Sequence, residues 1–425
     1  MSSGEARRFF PILAVQFIGA LGFSIALPIL VFLVRDLGGA AWTYGVVGAI
    51  YSAFQLVGAP ILGRWSDRIG RRLVLFVSQA GTLAGWLLFL LALSLPKAEL
   101  VRFAGASLTW PLILVFAARA LDGLTGGNVS VASAYVADLT VGEADTRQRA
   151  FGWMGMAASL GFSIGPALAA ALSETQFGYA APVFVAALIS GAATVMCLKL
   201  PNAPAPCPEG PPPQPTVTRI LGQQHRRCDR EPEPLFRGLG LPGDVRHLLV
   251  ATFVLFLAFS IFYAIFPVRA DAGLGWSPGE MGAFFTVLSV ALIAAEGPVL
   301  AAAAKHTRPS RLFAMGMALL AIAFVSFTTN SSWLIFVGAL MFGLGNGLAW
   351  PTFQARIADA AGPRAQGIVQ GAAASASSLA SIVGLVVGAL LYTWLGRSLF
   401  VASAGLCVAL GLAAGLLFPG TRASH

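Results

Sequence analysis

Apolar runs of about 20 residues recur along this chain, and they constrain its fold more than any other feature. A helix needs about 20 residues to cross the hydrocarbon core of a bilayer. Because 57% of the 425 residues are hydrophobic and only 11% are charged, we expect an integral, all-α membrane protein. The twelve predicted spans cover residues 9–34, 43–62, 73–95, 111–137, 148–172, 179–198, 247–268, 280–303, 310–328, 333–355, 366–391 and 397–418.

The basic residues are distributed unevenly between the loops that these spans define. Of the 27 Lys and Arg residues, 21 fall on the side of both termini and 5 on the opposite side, while Arg119 lies within a span. Loops rich in Lys and Arg stay in the cytoplasm. We therefore expect a multi-pass plasma-membrane protein with both termini cytoplasmic, and we read the net charge of +9 as topology rather than as a nucleic-acid site.

A polar, Pro-rich segment at 201–246 divides the chain into two six-helix bundles, at 1–200 and 247–425. Proline at this density bars a continuous helix, so the segment is predicted to be a flexible cytoplasmic linker. Its basic residues Arg226, Arg227 and Arg230 leave open a regulatory or lipid-headgroup contact.

Residue types that carry catalysis or bind metals are sparse. Two of the four cysteines, Cys197 and Cys407, fall in predicted spans, and Cys207 and Cys228 fall in the linker. The spacing of Cys and His gives no metal site, and no glycine-rich phosphate loop or nucleophile and base pair is present. We expect no disulfide, no cofactor and no enzymatic activity.

The two bundles repeat each other in sequence. The charged turn Gly-Arg-Trp-Ser-Asp-Arg-Ile-Gly-Arg-Arg at 63–72 follows span 2, and a weaker basic turn at 305–311 follows span 8. Span 4 ends in Tyr-Val-Ala-Asp at 135–138, and span 10 ends in Arg-Ile-Ala-Asp at 356–359. A duplication explains both. Two related halves with a site between them suit transport by alternating access.

These motifs resemble the major facilitator superfamily, and within it the twelve-span drug:proton antiporters that include the tetracycline-resistance efflux proteins. The resemblance covers nearly the whole chain and also includes Gly161-Phe-Ser-Ile-Gly-Pro166 in span 5 and Gln366-Gly-Ile-Val-Gln-Gly371 in span 11. It implies two pseudo-symmetric six-helix bundles, proton-coupled export and a bacterial inner membrane.

The resemblance also implies a set of gating residues. It places Asp67 against the start of span 11 when the cytoplasmic side is closed. The alternatives are topology signalling for the arginines and ordinary helix packing for the small residues of span 5. The gating set is Gly63, Asp67, Arg68, Gly70, Arg71, Arg72, Asp138, Gly161, Gly165 and Pro166.

The chain departs from the tetracycline exporters at the acids that they carry within spans. The matching position in span 1 is Gly19, and no acid occurs near Ala84 and Gly85 in span 3 or near 315–317 in span 9. These departures argue against tetracycline as the substrate.

Arg119 and Asp122 in span 4 are the first candidates for proton coupling. An unpaired guanidinium inside a bilayer costs several kcal/mol, so Arg119 requires a partner. Asp122 lies three residues along the helix and therefore on roughly the same face. By the family pattern Arg119 tunes a carboxylate, and we expect Asp122 to be that group; the alternative is a structural pair that stays charged.

Glu296 in span 8 is the second candidate. It precedes Gly297 and Pro298, where a kink would direct backbone carbonyls toward a cavity. A buried carboxylate without a fixed cation can exchange protons, whereas a carboxylate at the end of the span would simply be solvated.

A polar and aromatic set within the spans is predicted to line the substrate cavity. Amide and aromatic side chains suit an apolar ligand with few hydrogen bonds, although each of them alone also suits the protein core. The set is Gln16, Phe23, Tyr51, Gln55, Asn128, Phe259, Tyr263, Asn346, Trp350 and Gln370.

The sequence therefore predicts a proton-driven exporter of small amphipathic compounds that works as a monomer in the lipid bilayer. Two alternatives stay open. One is an uncoupled or proton-symporting carrier of a sugar or another metabolite. The other is a non-transporting membrane receptor or assembly factor on the same scaffold.

Overall fold

The computed structural model describes residues 3–103, 105–126, 128–140, 144–200 and 243–419, and most of them are helical. The predicted linker falls almost wholly outside these ranges. The helices are α1 (Ser3–Asp36), α2 (Ala41–Ile69), α3 (Arg71–Ser94), α4 (Trp110–Thr125), α5 (Asn128–Leu139), α6 (Ala144–Ser173), α7 (Ala180–Leu198), α8 (Gly243–Val268), α9 (Pro278–Ala294), α10 (Leu300–Ala303), α11 (Pro309–Ser326), α12 (Ser332–Leu395), α13 (Ser398–Leu412) and α14 (Ala414–Leu417).

The apolar composition of these helices is that of a multi-pass membrane protein. Within the described residues, ten helical segments are long and apolar enough to cross a bilayer. The other two predicted spans correspond to α4 with α5, and to α13 with α14. The predicted all-α membrane fold of two six-helix bundles is thus confirmed, and its backbone groups are paired within helices as a bilayer requires.

Two helix starts show how local sequence sets these boundaries. Thr109 caps α4, because its Oγ1 accepts a hydrogen bond from the Leu112 N–H at 3.3 Å and Pro111 occupies the first turn. Ser277 and Glu280 form a capping box at α9, with the Ser277 hydroxyl accepting from the Glu280 N–H at 3.2 Å.

A short β-hairpin lies where the sequence predicted only a loop between spans 3 and 4. Strands β1 (Glu99–Phe103) and β2 (Ala106–Thr109) pair antiparallel, and the turn contains Gly105 at φ +79°. The hairpin is attached to the turn between α1 and α2, since the Ser107 N–H donates to the Gly38 carbonyl at 2.8 Å.

Two predicted helix boundaries differ in the structure. Span 4 is interrupted near Gly126, where two consecutive glycines weaken the helix and separate α4 from α5. In contrast, α12 continues through the loop that was predicted between spans 10 and 11. Four alanines, at 358, 360, 361 and 365, favour helix in that stretch, whereas Gly362 and Pro363 disfavour it.

The second half contains two π-helical turns that the sequence analysis did not predict as such. The first π-turn (Arg269–Gly273) follows Pro267 at the end of α8, and the second (Ala295–Val299) contains Pro298. A proline inside a helix lacks an N–H and clashes with the carbonyl four residues earlier, and a wider turn relieves that clash. The kink expected beside Glu296 is therefore a π-turn.

The first half (3–200) and the second half (243–419) pack together along two pairs of helices. We call the end of the bundle that carries the β-hairpin the hairpin side, and the opposite end, between α2 and α3, the Gly70 side. Close packing on the hairpin side joins α2 to α12, where Gly45 faces Ala389, and α9 to α6, where Gly282 faces Ala170.

The hydrophobic core follows the same division. The large cluster contains buried side chains from both halves, including Ile25 and Phe262. A smaller cluster on the Gly70 side contains side chains from the first half, such as Phe9, Leu62 and Tyr135. Among the described residues, the two halves thus share a core on the hairpin side.

Replacing Gly45 by valine should weaken this packing. A Cβ at Gly45 would lie 2.4 Å from the Ala389 Cβ, and overpacking of this kind costs about 1–3 kcal/mol. We expect G45V to lower the apparent melting temperature of the protein in detergent by several degrees. The control is G191A, because a Cβ at Gly191 meets nothing within 4 Å; equal loss in both variants would contradict close packing at Gly45.

Candidate functional site

An ion pair inside the first half forms the centre of the candidate site. Arg119 Nη1 lies 3.1 Å from Asp122 Oδ2, one turn apart on α4. The Arg119 side chain is 6% exposed and the Asp122 side chain 16% exposed. The spacing along the helix therefore produces the contact that the sequence predicted, and the two charges compensate each other in an apolar environment.

Two neighbouring helices complete the coordination of this pair. Thr82 on α3 donates its hydroxyl to Asp122 Oδ1 at 2.9 Å. On the other side, the Arg119 guanidinium lies 4.4 Å from the centre of the Tyr51 ring, within the range of a cation–π interaction. Arg119 Nε is buried without a hydrogen-bond partner among the described residues.

Tyr51 is held in place by the next turn of α2. Gln55 Nε2 donates to the Tyr51 hydroxyl at 3.1 Å and to the Gly126 carbonyl at 3.3 Å. Gly126 lies at the break between α4 and α5, so its carbonyl is available to accept the hydrogen bond from Gln55 close to the ion pair.

Aromatic rings extend from this ion pair within the first half. The ring of Phe23 lies 5.6 Å from that of Tyr51 and 6.3 Å from that of Phe162 on α6. A small cavity beside the pair is lined by Thr82, Gly85, Trp86, Phe89, Arg119 and Asp122. The wall around the buried charges is thus largely aromatic.

The predicted cavity residues of the second half also belong to an aromatic group. Trp350 packs against Phe256 with ring centres 5.2 Å apart, and Tyr263 stacks on Phe285 at 6.3 Å. The ring of Phe259 lies 5.4 Å from that of Phe342.

Tyr44 on α2 is buried in the large core cluster, and Tyr263 of the other half packs against the same cluster. Gln16 and Asn346 are half-buried. The side chains of Asn128 and Gln370 lie outside the described part of the structure.

Glu296 lies apart from this ion pair, in the second π-turn. Its Oε2 accepts a hydrogen bond from the Ser159 hydroxyl at 2.8 Å. Ser159 belongs to α6 in the first half, so this contact crosses between the halves. The Glu296 side chain is half-buried.

The described gating residues on the Gly70 side form a network of polar contacts. Arg71 Nε lies 3.1 Å from Asp138 Oδ2, with side chains only 10% and 11% exposed, and Arg71 also donates to Ser66. Arg72 donates to the Leu198 carbonyl. Gly70 adopts φ +101° between α2 and α3, a conformation that favours glycine. These contacts join α2, α3, α5 and α7.

The remaining gating candidates divide into two groups. A Cβ at Gly161 would lie 2.3 Å from the Phe17 carbonyl, and Gly165 faces Ser24, so both glycines allow α6 to approach α1 within the first half. Pro166 faces Gly282 across the halves, while Gly63 has open space around it. The side chains of Asp67 and Arg68 lie outside the described part of the structure.

A third ion pair, which the sequence did not indicate, crosses between the halves on the hairpin side. Arg35 at the end of α1 donates to Asp271 in the first π-turn, and the Asp271 side chain is 6% exposed. Arg269 fixes this turn within its own half by donating to the Asn330 side chain at 3.1 Å and to the Thr328 carbonyl at 3.3 Å. The sequence placed Arg35 and Arg269 in loops and gave no signal for the pairing.

The comparisons with known proteins agree with this architecture. The family profile of the Major Facilitator Superfamily matches residues 12–240 and 248–425. The chain belongs to this superfamily. It is 28% identical over 393 residues to the class E tetracycline resistance protein of Escherichia coli, covering 90% of this chain and 89% of the relative. It is 30% identical to the class G tetracycline resistance protein of Vibrio anguillarum, covering 88% of each chain.

A solved structure supports the fold. The human organic anion transporter MFSD10 superposes with a TM-score of 0.65 at 21% identity, over 97% of this chain and 100% of that one. Superfamily membership therefore identifies this chain as a non-enzymatic membrane transporter that acts on small molecules. Within the described residues, no group of three or more His, Cys, Asp or Glu side chains could hold a metal ion.

The buried pair Arg71–Asp138 should contribute much more stability than an exposed pair of the same geometry. Removing one partner of a buried ion pair costs about 3–5 kcal/mol. Arg102 and Glu99 are also 3.1 Å apart, but their side chains are 72% and 44% exposed, and exposed pairs contribute about 0–1 kcal/mol. We expect R71A to lower the apparent melting temperature strongly and R102A to leave it nearly unchanged. Equal effects would show that burial does not set the contribution.

Proposed function

We propose that this protein is a proton-driven exporter of small amphipathic compounds that works by alternating access. The observation that carries the proposal is the Asp122 carboxylate, held between the Arg119 guanidinium and the Thr82 hydroxyl inside the bilayer and next to aromatic rings. A carboxylate in such a place can change its charge without leaving its site, which is what coupling to protons requires.

The geometry suggests how protonation acts. When Asp122 is ionised, it neutralises Arg119 and keeps the guanidinium against α4. When Asp122 takes up a proton, the attraction falls, and Arg119, which already lies over the Tyr51 ring, becomes available to a ligand beside it. One proton moving down 100 mV supplies about 2.3 kcal/mol, which supports a gradient of a few tens-fold for a neutral solute.

The aromatic rings on both sides of the site indicate the class of substrate. Phe23, Tyr51 and Phe162 in one half and Phe259, Tyr263 and Trp350 in the other provide large apolar surfaces with few hydrogen-bonding groups. This composition favours an amphipathic organic molecule over a sugar, which would need many polar partners. The tetracycline resistance relatives support export of a drug-like compound.

The closed hairpin side supports alternating access. The Arg35–Asp271 pair and the close helix packing at Gly45 and Gly282 seal this side between the halves. In the proposed topology the hairpin side faces the periplasm of a bacterium, and the Gly70 side, with both termini, faces the cytoplasm. Arg71 and Asp138, with Gly63, Asp67, Arg68, Gly70 and Arg72 of the predicted gating set, would then act at the cytoplasmic gate of a monomer.

The proton assignment can be tested in liposomes with D122N. Asparagine keeps the size and shape of the side chain and one of its two acceptor oxygens, but it cannot change its charge. We expect D122N to lose export driven by a pH gradient while it retains exchange of substrate between the two sides. The measurement uses the fluorescent amphipathic dye ethidium, with and without an imposed pH step, together with a pH indicator for proton flux.

A matched control for this experiment is T82S, which keeps the hydroxyl that donates to Asp122 and should keep coupled export. If driven export survives in D122N, the assignment of Asp122 is wrong. Dye flux without proton flux in the unmodified protein would support an uncoupled carrier, and the absence of both for a wide panel of compounds would refute the proposal.

The ion pair between the halves gives a second prediction. R35D and D271R should each open the hairpin side, because each places two like charges at the contact between α1 and the first π-turn. The double variant R35D/D271R should restore closure. The measurement is the rate at which a membrane-impermeant maleimide labels a cysteine at position 385, which faces Gly48 across the halves, in a variant without the four native cysteines. If the cysteine in the double variant is labelled as fast as in the single variants, this ion pair does not hold the hairpin side closed.

A further inference from the structure

The contact between α6 and α9 joins the two halves and includes Ser163, Pro166 and Ala170 of α6. The helices run antiparallel, so that Gly282 meets Pro166 and Ala170 near the hairpin side, and Ser289 meets Ser163 further along. Ser163 donates to the Ser289 carbonyl at 3.4 Å. The next contact along the two helices, toward the Gly70 side, is the hydrogen bond from Ser159 to Glu296. We call this row of contacts the α6–α9 seam.

Glu296 is isolated from other charges in this region. The stretches that contact the second π-turn, at 281–303 and 332–355, and the stretch of α6 that carries Ser159, at 150–173, contain no charged residue other than Glu296 itself. Its one hydrogen-bond donor in the described structure is the Ser159 hydroxyl. Asp122, in contrast, has a guanidinium and a hydroxyl from its own half.

The π-turn is held firmly on its other face. A Cβ at Gly347 on α12 would lie 2.5 Å from the Ala295 Cβ and 3.1 Å from the Glu296 backbone nitrogen. The backbone of the π-turn is thus packed against α12 of its own half, and the Glu296 side chain reaches α6 of the other half. A change in the distance between the halves therefore acts directly on the bond between Ser159 and Glu296.

We propose that Ser159 is a positioning residue for Glu296, and that their hydrogen bond makes the contact between the two halves depend on the charge of this carboxylate. Hydrogen bonds to a charged acceptor are about twice as strong as those between neutral groups. Ser159 thus stabilises the closed seam most when Glu296 is ionised, and much less when Glu296 is protonated. The inference rests on the proposed proton-coupled function and assigns a second proton-sensitive contact to it.

The stability of the contact along the α6–α9 seam can be measured from the distribution of distances between two labels, one on each half. Met156 and Val299 are exposed, and each lies three residues from the Ser159–Glu296 contact toward the Gly70 side. Spin labels are attached to cysteines introduced at positions 156 and 299 in the full-length chain without its four native cysteines. Pulsed electron paramagnetic resonance measures the distance between the two labels. The ratio of molecules with a short distance to molecules with a long distance is the ratio of close to separated seams. The experiment uses reconstituted protein without any substrate, at alkaline and at acidic pH.

We expect S159A to lower the ratio of close to separated seams about tenfold at alkaline pH, as the loss of a hydrogen bond to a charged group implies. At acidic pH the same change should have a clearly smaller effect. S159T keeps the hydroxyl and should resemble the unmodified protein. S163A, one turn along the same helix face, should show no such dependence on pH.

A double-mutant cycle gives the decisive result. In an E296A background, S159A should have no further effect, because the acceptor is already absent. The inference is overturned if S159A acts equally at both pH values, if S163A reproduces its effect, or if S159A and E296A are additive. Because the distances are measured without transport, a failure of coupled export in the liposome experiment would leave this result intact, and the reverse also holds.

Discussion

The absence of water in the bilayer core is the constraint on which the rest of this structure depends. Every backbone group must find its partner within the protein, so the chain forms helices wherever it crosses. Every charged side chain within a span must likewise have a partner. Arg119 meets this demand with Asp122, and Glu296 meets it with Ser159.

Local sequence predicted the parts of the fold that local physics determines. The spans follow from the length of the apolar runs, and the Arg119–Asp122 contact follows from a helical spacing of three residues. The hairpin at 99–109 was missed because turn chemistry is a weak signal beside hydropathy. The continuity of α12 through 356–365 was missed because Gly362 and Pro363 indicate a break in the helix. The π-turns depend on how a proline clash is relieved against neighbouring helices, and a single chain segment does not reveal this.

The partners of the candidate site were less predictable than its charges. Thr82 approaches Asp122 from α3, and Ser159 approaches Glu296 from α6. Both depend on the rotation and register of two packed helices, which the sequence of neither helix specifies. Serine and threonine are also common inside spans, where they bond to carbonyls of their own helix, as Ser163 does to Ser159. An intramembrane acid can thus be found by reading the sequence, whereas its hydrogen-bond donor requires the structure.

The two acids differ in a way that separates their proposed roles. The partners of Asp122 all lie in the first half, so this group moves as a unit when the halves tilt, and its environment changes with what occupies the cavity beside it. The partner of Glu296 lies in the opposite half, so its environment changes when the halves separate. A carrier that exchanges protons for substrate must prevent the halves from moving with the wrong occupancy. In the proposed mechanism Asp122 responds to the ligand and Glu296 responds to closure of the halves, and together they meet this requirement.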